Sequence, residues 1–124
     1  MIAPDIEIYI AAVTPEAVLD WLRERFPGAS APRPAGRKQW QLTLPHAERP
    51  VPVLVLQDAA PGYVSLWFDS PHTPWADDIA CAREVFARFG TEVRATAGSW
   101  AEGDDPDLWW HIDAAGEGLV SWPG

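Results

Sequence analysis

Ile6, Ile8 and Ile10 alternate with Glu7 and Tyr9, a period of two that predicts a half-buried strand over residues 5–13. Thr14-Pro15-Glu16 follows as a helix start. The threonine hydroxyl can accept a free N–H, proline suits the first helical position, and the glutamate meets the positive end of the helix dipole. Val18, Leu22 and Phe26 form the apolar stripe of this helix, and Pro27-Gly28 ends it.

Residues 27–37, rich in proline and glycine, read as a loop. Trp40, Leu42 and Leu44 lie in phase along a strand over 38–44. After a connection over 45–50, the nearly continuous apolar run Val51 to Gln57 predicts a strand central in its sheet, with Pro52 confined to its beginning. Ala60-Pro61-Gly62 turns the chain into a hairpin partner, Tyr63 to Phe68.

Thr73-Pro74 repeats the first helix's start signal, and Asp77 and Asp78 suit the first turn of a second helix. Trp75, Ile79, Ala82, Phe86 and Phe89 give its stripe, Glu84 and Arg88 form a supporting pair, and Gly90 stops it. A short strand over 92–96 follows, then a Gly- and Asp-rich loop over 97–107. Residues 108–113 and 119–122 form a closing hairpin across 114–118.

The expected order is β-α-β-β-β-α-β plus a C-terminal β-hairpin, seven strands in all. Two amphipathic helices each need a sheet face to cover. The expected fold is therefore α+β, a two-layer sandwich with an antiparallel sheet and both helices on one face, ferredoxin-like in style. One domain, 1–124, accounts for the length, and no internal repeat breaks it.

Composition narrows the functional classes. Hydrophobic residues make up 48% of the chain and charged residues 22%, which suits a folded globular domain. No apolar run approaches the roughly 18 residues that span a bilayer, and the acidic N-terminus MIAPDIEIYI lacks the basic start of a signal peptide. Cys81 is the only cysteine, so a disulfide within the chain is excluded and a reducing, cytoplasmic location is expected. The net charge is −9, and after Arg94 the chain carries acids but no further Lys or Arg. Such a field repels phosphate backbones and anionic membranes, so neither nucleic acid nor membrane is expected as a partner, whereas a basic protein is drawn in. Eight of the nine basic residues are arginine, a bias that suggests a GC-rich bacterial genome.

The eight tryptophans are Trp21, Trp40, Trp67, Trp75, Trp100, Trp109, Trp110 and Trp122. Trp75 reads as core. Trp109 and Trp110 are strand neighbours and must point to opposite faces, so one of them belongs to the face that the helices leave open or to the flank of the hairpin. Trp21, off the main stripe of its helix, and Trp100, in a loop, are further candidates for an exposed aromatic platform. Rings of this kind concentrate binding energy because they pair large apolar area with a donor.

The linear motifs are sparse. Asp69, His72, Asp77 and Asp78 crowd the start of the second helix without any recognised metal-ligand spacing, and turn shaping with dipole compensation explains them. The acidic loop containing Asp104, Asp105 and Asp107 lacks the order of a calcium-binding loop. His111 shares a strand face with Trp109 and Asp113. A His-Asp pair there can hold a proton, but no nucleophile stands in line with it. Cys81 reads as a buried thiol. Nothing matches a nucleophile elbow, a phosphate loop or a dinucleotide fingerprint.

The expectation is a small acidic cytosolic protein without catalytic residues, cofactor or metal. Its role is that of a protein-binding domain, like immunity proteins and antitoxins in general character. The binding residues would be Trp100, Trp109, Trp110, His111, Asp113, Asp104, Asp105 and Asp107. The alternative is a small-molecule or sugar site, with weak hydrolase chemistry, in an aromatic-lined pocket where Trp109, His111 and Asp113 converge. A homodimer closed by the Trp-rich face is a third option.

Overall fold

The computed structural model describes residues 5–45, 49–70, 72–96 and 108–122. Ten elements follow one another: β1 (Ile6–Ala11), α1 (Pro15–Arg25), β2 (Arg33–Gly36), β3 (Gln39–Leu44), β4 (Val51–Ala60), β5 (Tyr63–Phe68), α2 (Asp78–Phe89), β6 (Val93–Thr96), β7 (Leu108–Asp113) and β8 (Gly116–Ser121). The strands form one open antiparallel sheet in the order β2-β3-β4-β5-β1-β6-β7-β8. This is a mixed α/β architecture with an open antiparallel sheet and two helices, and the eight strands among the described residues exceed the seven expected.

The extra strand is β2, in the stretch expected to be a loop. Pro34 holds the backbone extended, and an edge strand is hydrogen-bonded on one side only, so its missing N–H is tolerated there. β2 pairs with β3 through a register irregularity between Pro34 and Gly36.

Both helices cover the same face of the sheet. Ile6, Ile8 and Ile10 of β1 and Val51, Val53 and Val55 of β4 point toward them, as do Val64, Leu66 and Phe68 of β5. Val18, Leu19, Trp21 and Leu22 of α1 meet that surface, and so do Cys81, Ala82 and Val85 of α2. Burying each large side chain contributes about 1.5–3 kcal/mol before entropy is set against it. The helices also tie to each other. Arg25 Nε lies 2.7 Å from Glu84 Oε2, and Glu84 Oε1 accepts the Trp75 indole N–H at 3.1 Å.

Thr14 caps α1 as expected, its hydroxyl accepting the Ala17 N–H at 3.2 Å. The second cap differs. Residues 73–77 bend, and Asp77 takes the N-cap position by accepting the Ala80 N–H at 2.8 Å. A carboxylate at a cap meets the helix dipole with a full charge, and this favours Asp77 over Thr73. Trp75, ahead of the helix, still reaches the core, its ring 5.0 Å from that of Phe68.

Trp21 is also core, 4% exposed, so it takes no part in a surface platform. Its ring lies 6.4 Å from that of Trp75 and 6.3 Å from that of Phe89. α1 has two neighbours, the sheet and α2, and therefore needs a wider apolar face than the one stripe the sequence suggested.

The closing hairpin is tighter than expected. Asp113 Oδ1 accepts the Ala115 N–H at 2.8 Å, and the chain reverses over Ala114-Ala115, so β8 begins at Gly116. The Asp side chain imitates a backbone turn, a role for which aspartate is favoured.

Candidate functional site

Among the described residues, the second face of the sheet carries no helix. Strand alternation assigns its residues: Glu7, Tyr9 and Ala11 on β1 sit opposite Trp67, Ser65 and Tyr63 on β5. On the other side of β1, Tyr9 faces Arg94, which faces His111, which faces Gly118. Trp109 and Asp113 flank His111 on the same face, since residues two apart on a strand point the same way.

Four rings pack together there. Tyr9 meets Trp109 edge-on at 5.4 Å and Trp122 at 5.3 Å; Trp122 also lies 5.2 Å from Trp109 and 4.9 Å from Tyr63. Trp122 follows β8 directly and turns over the sheet. The Arg94 guanidinium lies 4.7 Å from the Trp122 ring centroid and 5.6 Å from that of Tyr63, so the cluster holds a cation of its own. All of these side chains are partly exposed.

Beside the rings stands a polar cluster. His111 Nε2 lies 2.6 Å from Glu92 Oε2 and 3.2 Å from Asp113 Oδ2, while Arg94 reaches Glu92 Oε2 at 3.2 Å. The Tyr63 hydroxyl donates to Glu92 Oε1. Burial works against the Glu92 charge. The hydrogen bonds from Tyr63 and Arg94, with the Arg94 and His111 charges, outweigh it and hold the carboxyl below its ordinary value. The Tyr63 phenol is pushed up to about 12 by burial and by its bond to Glu92, against the opposing pull of Arg94. Arg94 Nε is buried without a hydrogen-bond partner among the described residues.

Of the residues expected to bind, Trp109, His111 and Asp113 share this open face. Trp110 points the other way, packs on the core beneath the helices and donates its indole N–H to Glu117 Oε1 at 3.0 Å. Trp100, Asp104, Asp105 and Asp107 lie outside the described residues. Tyr9, Tyr63, Glu92, Arg94 and Trp122 were not singled out from the sequence. Alternation places Tyr9 opposite the isoleucine face, which was a usable signal. Glu92 had none, because it reaches His111 only through the pairing of β6 with β7.

The hollow next to the cluster, about 350 Å³, is lined among the described residues by His111, Asp113 and residues 115–120, none of them a Trp or Tyr. A second hollow of about 250 Å³ on the same face lies at Gln39, Gln41, Leu54 and Trp67. At the start of α2, the Asp77 and Asp78 side chains serve the backbone: Asp77 caps the helix and Asp78 Oδ2 accepts the Glu7 N–H at 3.2 Å. No helix among the described residues is long and apolar enough to cross a membrane. No protein-family model, no curated protein and no solved structure matches the chain.

Proposed function

We propose that the chain is a non-catalytic protein-binding domain of the cytoplasm, and that it engages a basic partner through the helix-free face of its sheet. The observation that carries this reading is the contiguous cluster of Tyr9, Tyr63, Trp109 and Trp122 on a face without a helix, in a chain of net charge −9. The rings hold one another in place, so little side-chain entropy is lost when a partner covers them. Glu7 beside Tyr9 and Glu92 beside Tyr63 bring carboxylates to the rings, and the net charge of −9 steers a cationic surface toward the patch. Immunity proteins and antitoxins that block basic toxins have this general character, and that subclass is the narrower form of the proposal.

A sugar or small-molecule site has less support. It needs a pocket where Trp109, His111 and Asp113 converge, yet among the described residues the hollow at His111 and Asp113 has no Trp or Tyr lining, and Arg94 already takes the position over Trp122 and Tyr63.

Affinity capture from lysate of the source cell, at low and high salt, tests the proposal. The expected result is one basic protein in stoichiometric amount, weakened by salt. Trp109→Ala should lose it, whereas Arg83→Ala on the helix side should retain it. Capture indifferent to both salt and Trp109→Ala sinks this assignment of the surface.

A further inference from the structure

Glu92, His111 and Asp113 each offer one donor atom, and these atoms all lie within 4.8 Å of one another. The two carboxylates are not placed loosely. Asp113 uses Oδ1 to accept the Ala115 N–H at 2.8 Å, which leaves Oδ2 directed at His111 Nε2, 3.2 Å away. Glu92 is held in the same manner, with Oε1 taken by the Tyr63 hydroxyl and Oε2 directed at Nε2, 2.6 Å away. Outer hydrogen bonds that fix one oxygen and aim the other are the supporting shell that metal-binding carboxylates use. One side of the cluster opens on the hollow lined by His111, Asp113 and Gly116, which leaves room for solvent on a bound ion.

We propose that this cluster is a binding site for a divalent transition-metal ion, with zinc as its first candidate. The ligands are Glu92 Oε2, His111 Nε2 and Asp113 Oδ2, and solvent completes the coordination. Zinc accepts imidazole nitrogen and carboxylate oxygen at about 2.0–2.2 Å in a tetrahedron, whose edge is then roughly 3.3 Å. The separation of 3.2 Å between His111 and Asp113 matches such an edge, and Glu92 has to withdraw from Nε2 by less than an ångström, about the reach of a side-chain torsion. Arg94, whose Nη2 lies 3.2 Å from Glu92 Oε2, opposes the ion with its charge, and its contact with the rings of Trp122 and Tyr63 offers the guanidinium a position away from that oxygen.

This site stands apart from the protein-binding reading, and either can fail without the other. The test is calorimetric titration of the untagged full chain with zinc chloride at neutral pH, alongside visible absorption on adding cobalt(II). Saturable binding of one equivalent is expected, with a cobalt spectrum of low coordination number. His111→Ala should abolish it. Asp113→Asn keeps the bond to Ala115 and should weaken affinity at least about tenfold. His72→Ala should leave it unchanged. Circular dichroism confirms that each variant is folded, and Asp113→Asn decides the matter if His111→Ala does not fold. Absence of saturation in the natural chain overturns the proposal, and so does undiminished zinc affinity in both His111→Ala and Asp113→Asn.

Discussion

The Arg94 guanidinium stacks on the Trp122 ring at 4.7 Å from its centroid, and this contact fastens the end of the last strand to the centre of the sheet. Arg94 belongs to β6, and Trp122 lies just beyond β8. The same ring touches Tyr9 of β1, Tyr63 of β5 and Trp109 of β7, so one side chain joins four strands. A cation–π contact contributes about 0.5–2 kcal/mol and an aromatic pair about 0.5–1.5 kcal/mol beyond area burial.

Trp122→Ala should therefore lower the free energy of unfolding by about 2–3 kcal/mol, since these contributions overlap rather than add. Urea denaturation measures it. A loss below about 0.5 kcal/mol, the range of ordinary surface changes, would mean that Trp122 does not organise the face.

Glu7 provides a dependence on pH. Burial, and then the charges of Asp5 and Asp78, raise its carboxyl above the ordinary value. An acid raised in the folded state keeps its proton longer there than in the unfolded chain. Its contribution is thus favourable at low pH and is lost as pH rises from the ordinary carboxylate value through the folded one. Glu7→Gln removes the charge and should stabilise the protein at neutral pH by about 0.5–1 kcal/mol, with no gain in acid. Thermal unfolding across pH values reads this. Equal stability of the two proteins at neutral pH contradicts the expectation.

Cys81 lies in the middle of α2 with no exposure, and burial first, then the charges of Glu84 and Asp78, push its thiol well above the ordinary range. The reactive species is the thiolate. Native protein should therefore resist a thiol reagent at mildly alkaline pH and react at once in denaturant. Labelling in the native state as fast as a free thiol would place Cys81 at an open surface.

Trp21→Ala tests whether the space between the helices is core. The ring is 4% exposed and bounded by Trp75 and Phe89, so its loss leaves a cavity and should cost about 3–5 kcal/mol. A cost near that of a surface substitution would return Trp21 to the exposed class.

Periodicity and caps made much of the chain legible. The isoleucine alternation of β1, the Thr14 cap and the apolar run of β4 come from local rules, each satisfied within a few residues, and the sequence determined them. Alternation also determined that Trp109, His111 and Asp113 share a face and that Trp110 takes the other.

Tertiary structure decided the rest. Prolines alone do not distinguish a loop from β2, because pairing with β3 is what makes an extended segment a strand. Trp21 became core only when α2 came to lie beside α1. Glu92 and His111 are far apart in the sequence, yet the β6–β7 pairing sets Glu92 Oε2 2.6 Å from Nε2 of His111. Local propensity acts over a turn or a strand, whereas that distance is set by which strands become neighbours. That choice depends on burying the apolar faces of the whole chain together, and no short motif encodes it.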